Sequence, residues 1–579
     1  MEIRRGIGVS PGYATEEVLI LDTEQFYIPK RQIAPAQIQA ECERVAVAVA
    51  AAKEEILDVQ KKFSGLVGEE TAAIFDAHMW MIEDNKILDE IAEMIREQKL
   101  TAEYSVSRVF RRYMKIFSEM KEGYLRQRVA DIADNETRLL RHLLGRRRQT
   151  LSNLDKRVIV VAHDVTPSQT AMFNRDLVAG IATDLGGPTS HAAIMAKALQ
   201  IPCIVGLKDL STHLSGGDIV SLDGHQGLVV VSPDEGTKAS FRKKAEKYKA
   251  SEMALVQEQI HLKAETSDHE LVRLHLNIES ANELDLPVAA GHPVGLYRTE
   301  YLYLNRREPP GEEEHFESYM NCLQKLGGRS LTVRTLDLGG DKLFAAADLP
   351  VERNPILGCR SIRLSFAEPA VFRCQLRACL RAAAHGDLRV MFPLVASIEE
   401  LRKAKQFLVD VGQELAEEGV PHSPKIKVGM MVEVPSAALL IDHFVRELDF
   451  VSIGSNDLLQ YTLAVDRTNE KVAGLYKPSH PALLRLIHNV IQVGNKAGCE
   501  VSLCGEMAGD LRFVELLLGM GLRVFSVIPG LIPEVQKIIR SVSVKNAAVL
   551  VEQVMAMDDS EKIYALLETR ARTIIPFAL

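Results

Sequence analysis

No apolar run in the 579-residue chain approaches the ~20 residues a helix needs to cross a bilayer, which excludes a membrane-inserted protein and leads us to expect a soluble one. The first residues, MEIRRGIGVSPGYA, are basic but lack the apolar stretch of ~7–15 residues that marks a secretory signal, so the expected location is the cytoplasm. The eight cysteines are scattered, with no CxxC pair and no clustered histidines. That pattern excludes a zinc site of the finger type and fits free thiols in a reducing compartment. There is also no sustained basic stripe with interleaved aromatics, and the net charge is -9. Nucleic acid is therefore not an expected partner, whereas a basic protein face suits the acidic surface.

What is present is ample core material, 47% hydrophobic residues, in a chain too long for one core. The pattern predicts a multidomain α/β protein. Residues 1–22 read as β structure around GIGVSPG, and residues 23–148 change to helical periodicity, as in AQIQAECERVAVAVAAAKEEILDVQKKF. Short β runs return in 149–232 (RVIVVA, LVAGIATD, CIVGL, DIVSLDG, GLVVVS), so the helical bundle is read as inserted into an α/β domain made of 1–22 and 149–232. A charged helical segment, free of proline from Asp234 onward, makes 233–262 the expected linker. From 263 to 579, eight candidate strands (LHLNI, VGLYRTE, LTVRTLD, LRVMFPLV, IKVGMMVEV, FVSIGSND, VSLCGEM, VFSVIP) alternate with helical segments, which predicts a (β/α)8 TIM barrel.

In that barrel the polar residues collect at strand ends. Arg298 and Glu300 close the second strand, Arg334 and Asp337 the third, Glu433 the fifth, Asn456 and Asp457 the sixth, and Cys504 and Glu506 the seventh. Catalytic groups of such barrels sit at the carboxyl ends of the strands, so these residues should share one mouth. Glu433 and Asp457 supply the hard oxygens that hold Mg²⁺ or Mn²⁺ while substrate and water complete the coordination. Arg298, Arg334, Arg360 and Arg467, with Lys342, form a cationic set suited to phosphate and carboxylate oxygens. Cys504, a thiol among cations, is expected to have a lowered pKa and to exchange a proton near neutrality.

A second feature is the stretch LGGPTSHAAIMAKALQIPCIVG, which puts His191 at the first turn of a helix. The positive end of the helix dipole disfavours the imidazolium there, leaving a neutral, nucleophilic ring. Glycines allow close approach of a ligand, and Thr189, Ser190 and first-turn amides can donate to phosphate oxygens.

GIGVSPG, ADIADNETRLLRHLLG, the GGPTSH stretch, VGLYRTEYLYLNR, VRTLDLGGDK, NPILGCRSIR, MFPLVASIEE, GMMVEVPSAA, SIGSNDLLQYTLAVDR and CGEMAGD follow one another nearly end to end. In this order they resemble Enzyme I of the bacterial phosphoenolpyruvate:sugar phosphotransferase system, a family of phosphoenolpyruvate-protein phosphotransferases. The resemblance implies that His191 is phosphorylated on Nε2 and oriented by Thr170. It implies phosphoenolpyruvate contacts from Arg298, Arg334, Arg360, Asn456, Asp457 and Arg467, Mg²⁺ ligation by Glu433 and Asp457, and protonation of the enolate carbon by Cys504. It further implies that the helical block docks the phosphocarrier protein HPr, with Glu69, Glu70, Asp76, Glu83 and Asp84 as candidate acidic contacts. The barrel would form a homodimer, and the histidine domain would swing about hinges near the ends of the linker. Pro188 departs from the basic residue that many members carry there.

Two other readings stay open on sequence. A phosphoenolpyruvate synthase or dikinase would exchange phosphate with a nucleotide, but the place of its ATP-binding domain is held by 23–148, with no GxxxxGK(S/T) loop. A non-catalytic regulatory relative would lack part of the chemical set, and none of it is missing.

Overall fold

The computed structural model describes residues 2–21, 31–63, 85–119, 132, 135–143 and 156–576, less 166–168, 170–172, 174–176, 188–189, 215–216, 260–261, 304–307, 340–351, 353, 468 and 470–471. Thr170, Pro188, Thr189, Lys342 and the acidic residues Glu69, Glu70, Asp76, Glu83 and Asp84 lie outside these residues, as does the side chain of His191.

The helical segment contributes α1 (Ile38–Phe63), α2 (Asn85–Gln98) and α3 (Ala102–Glu119). Ile87, Ile91 and Ile95 recur every fourth residue of α2 and so line one face. They bury against Val45, Ala48 and Ala52 of α1 and Val106, Val109 and Phe110 of α3.

Residues 2–21 share one sheet with the strands that follow the helical block. They supply β1 (Glu2–Arg5), β2 (Ile7–Ser10) and β3 (Tyr13–Leu21) to one sheet shared with β4 (Val158–Ala162), β5 (Val178–Thr183), β6 (Cys203–Val205), β7 (Ile219–Asp223) and β8 (Leu228–Val231). The strand order is β1-β8-β7-β3-β4-β5-β6-β2, with β3 to β6 parallel and the others antiparallel to their neighbours. Both faces of β4 are covered, which is why VIVVA is continuously apolar rather than alternating. Val158, Val160 and Ala162 pack on one side with Ala192, Ala193 and Ala196 of α4 (His191–Leu199). Ile159 and Val161 pack on the other with Leu210 and Leu214.

After β8, α5 (Glu235–Gln259) carries the chain to the barrel and packs against β3. The barrel strands are β9 (Arg273–Ile278), β10 (Val294–Tyr297), β11 (Leu331–Arg334), β12 (Leu388–Phe392), β13 (Lys427–Val432), β14 (Phe450–Ile453), β15 (Glu500–Leu503) and β16 (Val524–Val527). All eight fall where the sequence predicts them, and parallel pairing of β16 with β9 closes the cylinder. Several stop short of the predicted windows because the polar residues beyond them leave the ladder to form the mouth. Among the surrounding helices, α6 (Glu312–Leu326) and α7 (Pro369–Ala382) pack side by side.

The opposite, amino-terminal end of the barrel is tied by Glu500, which accepts from Arg273 at 2.7 Å and Arg389 at 3.0 Å. His275 is buried beside them. Burial, reinforced by the two arginines and opposed by Glu500, pushes its pKa down to about 4.

Candidate active site

The turn before α4 is built from small residues. Gly186 has φ +105°, which an L side chain rarely adopts, and a Cβ there would lie 3.0 Å from Ser190 Oγ. Ser190 is the N-cap, its Oγ accepting the Ala193 N–H at 3.4 Å, and His191 is the first helical residue. The turn is braced from below by Asp184, which sequence reading missed. Its buried carboxylate accepts from Ser211 Oγ at 2.6 Å and Ser211 N at 3.1 Å, and lies 3.4 Å from His163 Nδ1. The far end of α4 reaches the barrel: Lys197 Nζ is 4.0 Å from Glu506 Oε2, and Gln200 Nε2 donates to the Gly530 carbonyl at 3.3 Å. Glu506 follows β15 and Gly530 follows β16, so the histidine helix stands at the carboxyl end of the barrel.

At that end the strand-terminal residues form one connected set. Arg334 pairs with Glu300 at 2.9 Å and with Asp337 at 2.9 Å. Asp337 also receives Arg360 at 2.9 Å and a hydrogen bond from Ser361 Oγ. Arg360 lies 3.4 Å from Asp457, and Arg467 lies 3.6 Å from the other oxygen of the same carboxylate. Asn456 and Glu506 interlock, Asn456 Nδ2 donating to Glu506 Oε1 at 3.2 Å and Glu506 N donating to Asn456 Oδ1 at 3.0 Å. Arg298 stands nearer the rim, half-exposed and paired with Glu279 at 2.8 Å. Residues from β10, β11, β13, β14 and β15 thus meet as the strand-end pattern predicts, with Glu300, Asp337 and Ser361 as partners that orient the arginines.

The charges set one another. Burial works against the Arg334 guanidinium, but Glu300, Asp337 and Glu433 outweigh it and raise its pKa. Burial would likewise raise Asp337, but Arg334, Arg360 and Ser361 hold it well below the usual carboxylate range. Glu433 goes the other way. Burial first, then the facing Asp337 and Asp457, pushes it up to about 8, although it accepts the Leu394 N–H at 2.6 Å. Gly454 packs closely beside it, a Cβ there lying 2.8 Å from Glu433 Oε2, so a larger residue would displace the carboxyl.

Among the described residues no three His, Cys, Asp or Glu side chains form a ready-made metal cage. Mg²⁺ does not require one, because it is commonly held by one or two carboxylates with water and substrate phosphate. A carboxyl kept protonated by burial and by the neighbouring charges of Asp337 and Asp457 belongs to a donor set that a divalent cation would relieve. The residues therefore fit the ion.

Cys504 requires a correction. A thiol among cations should titrate low, yet burial pushes its pKa up and outweighs the lowering influence of Ser452 and of the charge of Arg334. Cys504 sits in an apolar cluster with Leu296, Met391, Met431 and Phe450, and its S–H donates to the Ile453 carbonyl at 3.7 Å. Such a group is a stored proton, a donor rather than a nucleophile. Asn277, unnoticed in the sequence, fixes its backbone by donating to the Cys504 carbonyl at 2.9 Å.

The comparisons with known proteins agree with this layout. Residues 5–128 match the N-terminal domain of PEP-utilising enzymes, 154–227 their mobile domain, and 253–544 their PEP-binding domain. A phosphoenolpyruvate-protein phosphotransferase of Bacillus sp. (strain S) is 40% identical over 97% of this chain and 97% of its own. Those of Enterococcus faecalis (40% identical) and Bacillus subtilis (39% identical) align over 98% of this chain and 99% of theirs. The chain, whose helix α4 reaches by its far end a barrel mouth of buried arginines and carboxylates, thus belongs to the PEP-utilising enzymes, in their phosphoenolpyruvate-protein phosphotransferase family.

Proposed function

We propose that the chain takes the phosphoryl group of phosphoenolpyruvate onto His191 and passes it to a histidine of the phosphocarrier HPr, the first step of sugar uptake by the phosphotransferase system. The observation that carries this reading is the meeting of α4 with a mouth that gathers Arg334 and Arg360 around Asp337, and Arg360 and Arg467 around Asp457.

Arg298, Arg334, Arg360, Asn456 and Arg467 would bind the phosphate and carboxylate oxygens of the substrate, drawing on charges already fixed in place. Mg²⁺, or Mn²⁺ in its place, would be held by Glu433 and Asp457 and would supply charge neutralisation at the phosphoryl oxygens. Neutral His191, oriented by Thr170, attacks phosphorus through Nε2 as the bond to the enol oxygen breaks. Cys504 gives its proton to the enolate carbon, so pyruvate leaves, and the thiolate regains a proton from solvent. The apolar wall of Leu296, Met391 and Met431 keeps water from that carbon.

The phosphorylated domain then leaves the mouth for HPr bound at the helical block, hinging near the ends of α5, while the barrel pairs with a second copy in the cytoplasm. No helix among the described residues is long and apolar enough to cross a membrane. The test is mass spectrometry after incubation with phosphoenolpyruvate and Mg²⁺ and no nucleotide, with and without HPr. Phosphorylation of His191 that HPr discharges is expected, and its absence would overturn the reading.

A further inference from the structure

Behind the third barrel strand lies a buried polar network that touches none of the residues meant to meet substrate through their side chains. Its centre is Gln375 of α7, which has no exposed surface. Gln375 Oε1 accepts the Leu336 N–H at 3.0 Å, and its Nε2 donates to Thr299 Oγ1 at 3.1 Å and to Tyr319 OH at 3.4 Å. Thr299 Oγ1 in turn donates to the Arg334 carbonyl at 3.0 Å. Tyr319 continues the network to His315 at 3.1 Å, and His315 to Tyr303 at 3.0 Å.

The direction of every central bond is forced. A backbone N–H can only donate, so the amide oxygen must face Leu336 and the amide nitrogen must face Thr299. A carbonyl can only accept, so the Thr299 hydroxyl spends its proton on Arg334 and must accept from Gln375. One carboxamide therefore grips the backbone on both sides of Thr335, immediately before Asp337. The two side chains leaving this stretch, Arg334 and Asp337, join Glu300 and Arg360 at the mouth. Glu300 closes the loop by accepting the Asp337 N–H at 3.1 Å.

We propose that Gln375 is a positioning residue for phosphoenolpyruvate: through Leu336 and Thr299 it fixes the backbone from which Arg334 and Asp337 project, and so sets the guanidinium where it binds substrate. This deepens the functional reading above and rests on the role given there to Arg334. Side-chain packing alone would be served by an apolar residue at this buried position of α7. An amide with matched donor and acceptor serves instead to hold two strand ends in one register.

The test compares two half-reactions of the full-length enzyme, uptake from phosphoenolpyruvate and discharge of preformed phosphohistidine to HPr. Only the first uses Arg334. Gln375→Met, similar in volume but unable to make the bonds, should raise the KM for phosphoenolpyruvate about tenfold, the scale of a small misplacement of a binding group. Its kcat should change less, and discharge to HPr should match wild type. Gln375→Glu gives a second signature. While protonated, its carboxyl accepts from Leu336 and donates to Thr299 as the amide does; once ionised it can no longer donate. Its KM should therefore be near wild type at low pH and climb as pH rises, a limb absent from wild type and from Gln375→Met.

An unchanged KM in Gln375→Met, an equal loss in both half-reactions, or a wild-type pH profile in Gln375→Glu would each overturn the proposal. A wild-type enzyme that takes up no phosphoryl group would instead sink the functional reading, and the same assay reads this before any variant is made.

Discussion

The turn that carries His191 and the mouth of the barrel, the two halves of the site we propose, are built on opposite principles. Apart from His191, residues 185–196 carry no ionisable side chain, and Ala192, Ala193 and Ala196 pack the helix tightly on its sheet. At the mouth, by contrast, Asp337 and Asp457 are interlocked with Arg334, Arg360 and Arg467, and Glu433 is buried beside them. Buried charges held by several partners cannot be rearranged cheaply, so they suit the half that must present a fixed field to a small anion. A nucleophile on a helix with few polar ties can arrive and depart. Among the described residues, the contacts of α4 with the barrel include a 4.0 Å ion pair from Lys197 and a hydrogen bond from Gln200 to a carbonyl.

The largest effect should come from removing the single reactive group of the simpler half. His191→Ala should abolish phosphoryl uptake, measured by intact-protein mass spectrometry, while leaving Mg²⁺ and phosphoenolpyruvate binding by the barrel measurable by calorimetry. The interlocked half should respond differently, losing stability together with affinity. Arg334→Met leaves Glu300 and Asp337 without their shared cation, and loss of one partner of a buried pair costs about 3–5 kcal/mol. Its barrel transition should fall in thermal unfolding, and its KM for phosphoenolpyruvate should rise.

The burial of charge also makes predictions in pH. With its pKa at about 8, Glu433 is largely protonated at pH 6, and a cation must displace that proton. Mg²⁺ affinity should therefore rise by roughly tenfold per unit between pH 6 and 8 and then level off, with proton release detectable by calorimetry in buffers of different ionisation enthalpy. At the other end of the barrel, His275 has a folded pKa of about 4 against an ordinary value of 6.5. Between those values the unfolded chain binds the extra proton, so stability is lost as pH falls from 6.5 to about 4, by on the order of 3 kcal/mol. His275→Asn should flatten that limb of a Tm-against-pH curve. The smallest effect is expected at the exposed junction of the halves. Lys197→Ala should slow self-phosphorylation by no more than about twofold, since such pairs contribute little; a large loss would mean that α4 docks far more firmly than the ion pair implies.

Much of the architecture was legible because it is periodic. Each barrel strand announces itself as a short apolar run ending in polar residues, and the sheet strands do the same. The three strands within residues 2–21 were less legible, because a chain folded back on itself over so few residues resembles one segment with turns. Candidate site residues showed up where they end a strand, as Arg334 does, or follow one directly, as Glu433 and Cys504 do. Gln375, Asn277 and Asp184 did not. Each acts from a helix, a strand interior or a loop on backbone groups elsewhere, Asn277 reaching Cys504 across 227 positions. Single-sequence patterns carry no mark of such a pairing.

The sequence by itself determined the order of the domains, the eight barrel strands, the histidine at a helix start and the residue types gathered at the strand ends, because periodicity and motif spacing are local properties. Only the tertiary structure decided which protonation states those residue types adopt. Glu433 is held up by burial and then by carboxylates from two other strand ends, and Cys504 keeps its proton because it is buried beside Leu296, Met391 and Met431. A pKa reports burial and charge in three dimensions, and both come from residues far away in the chain.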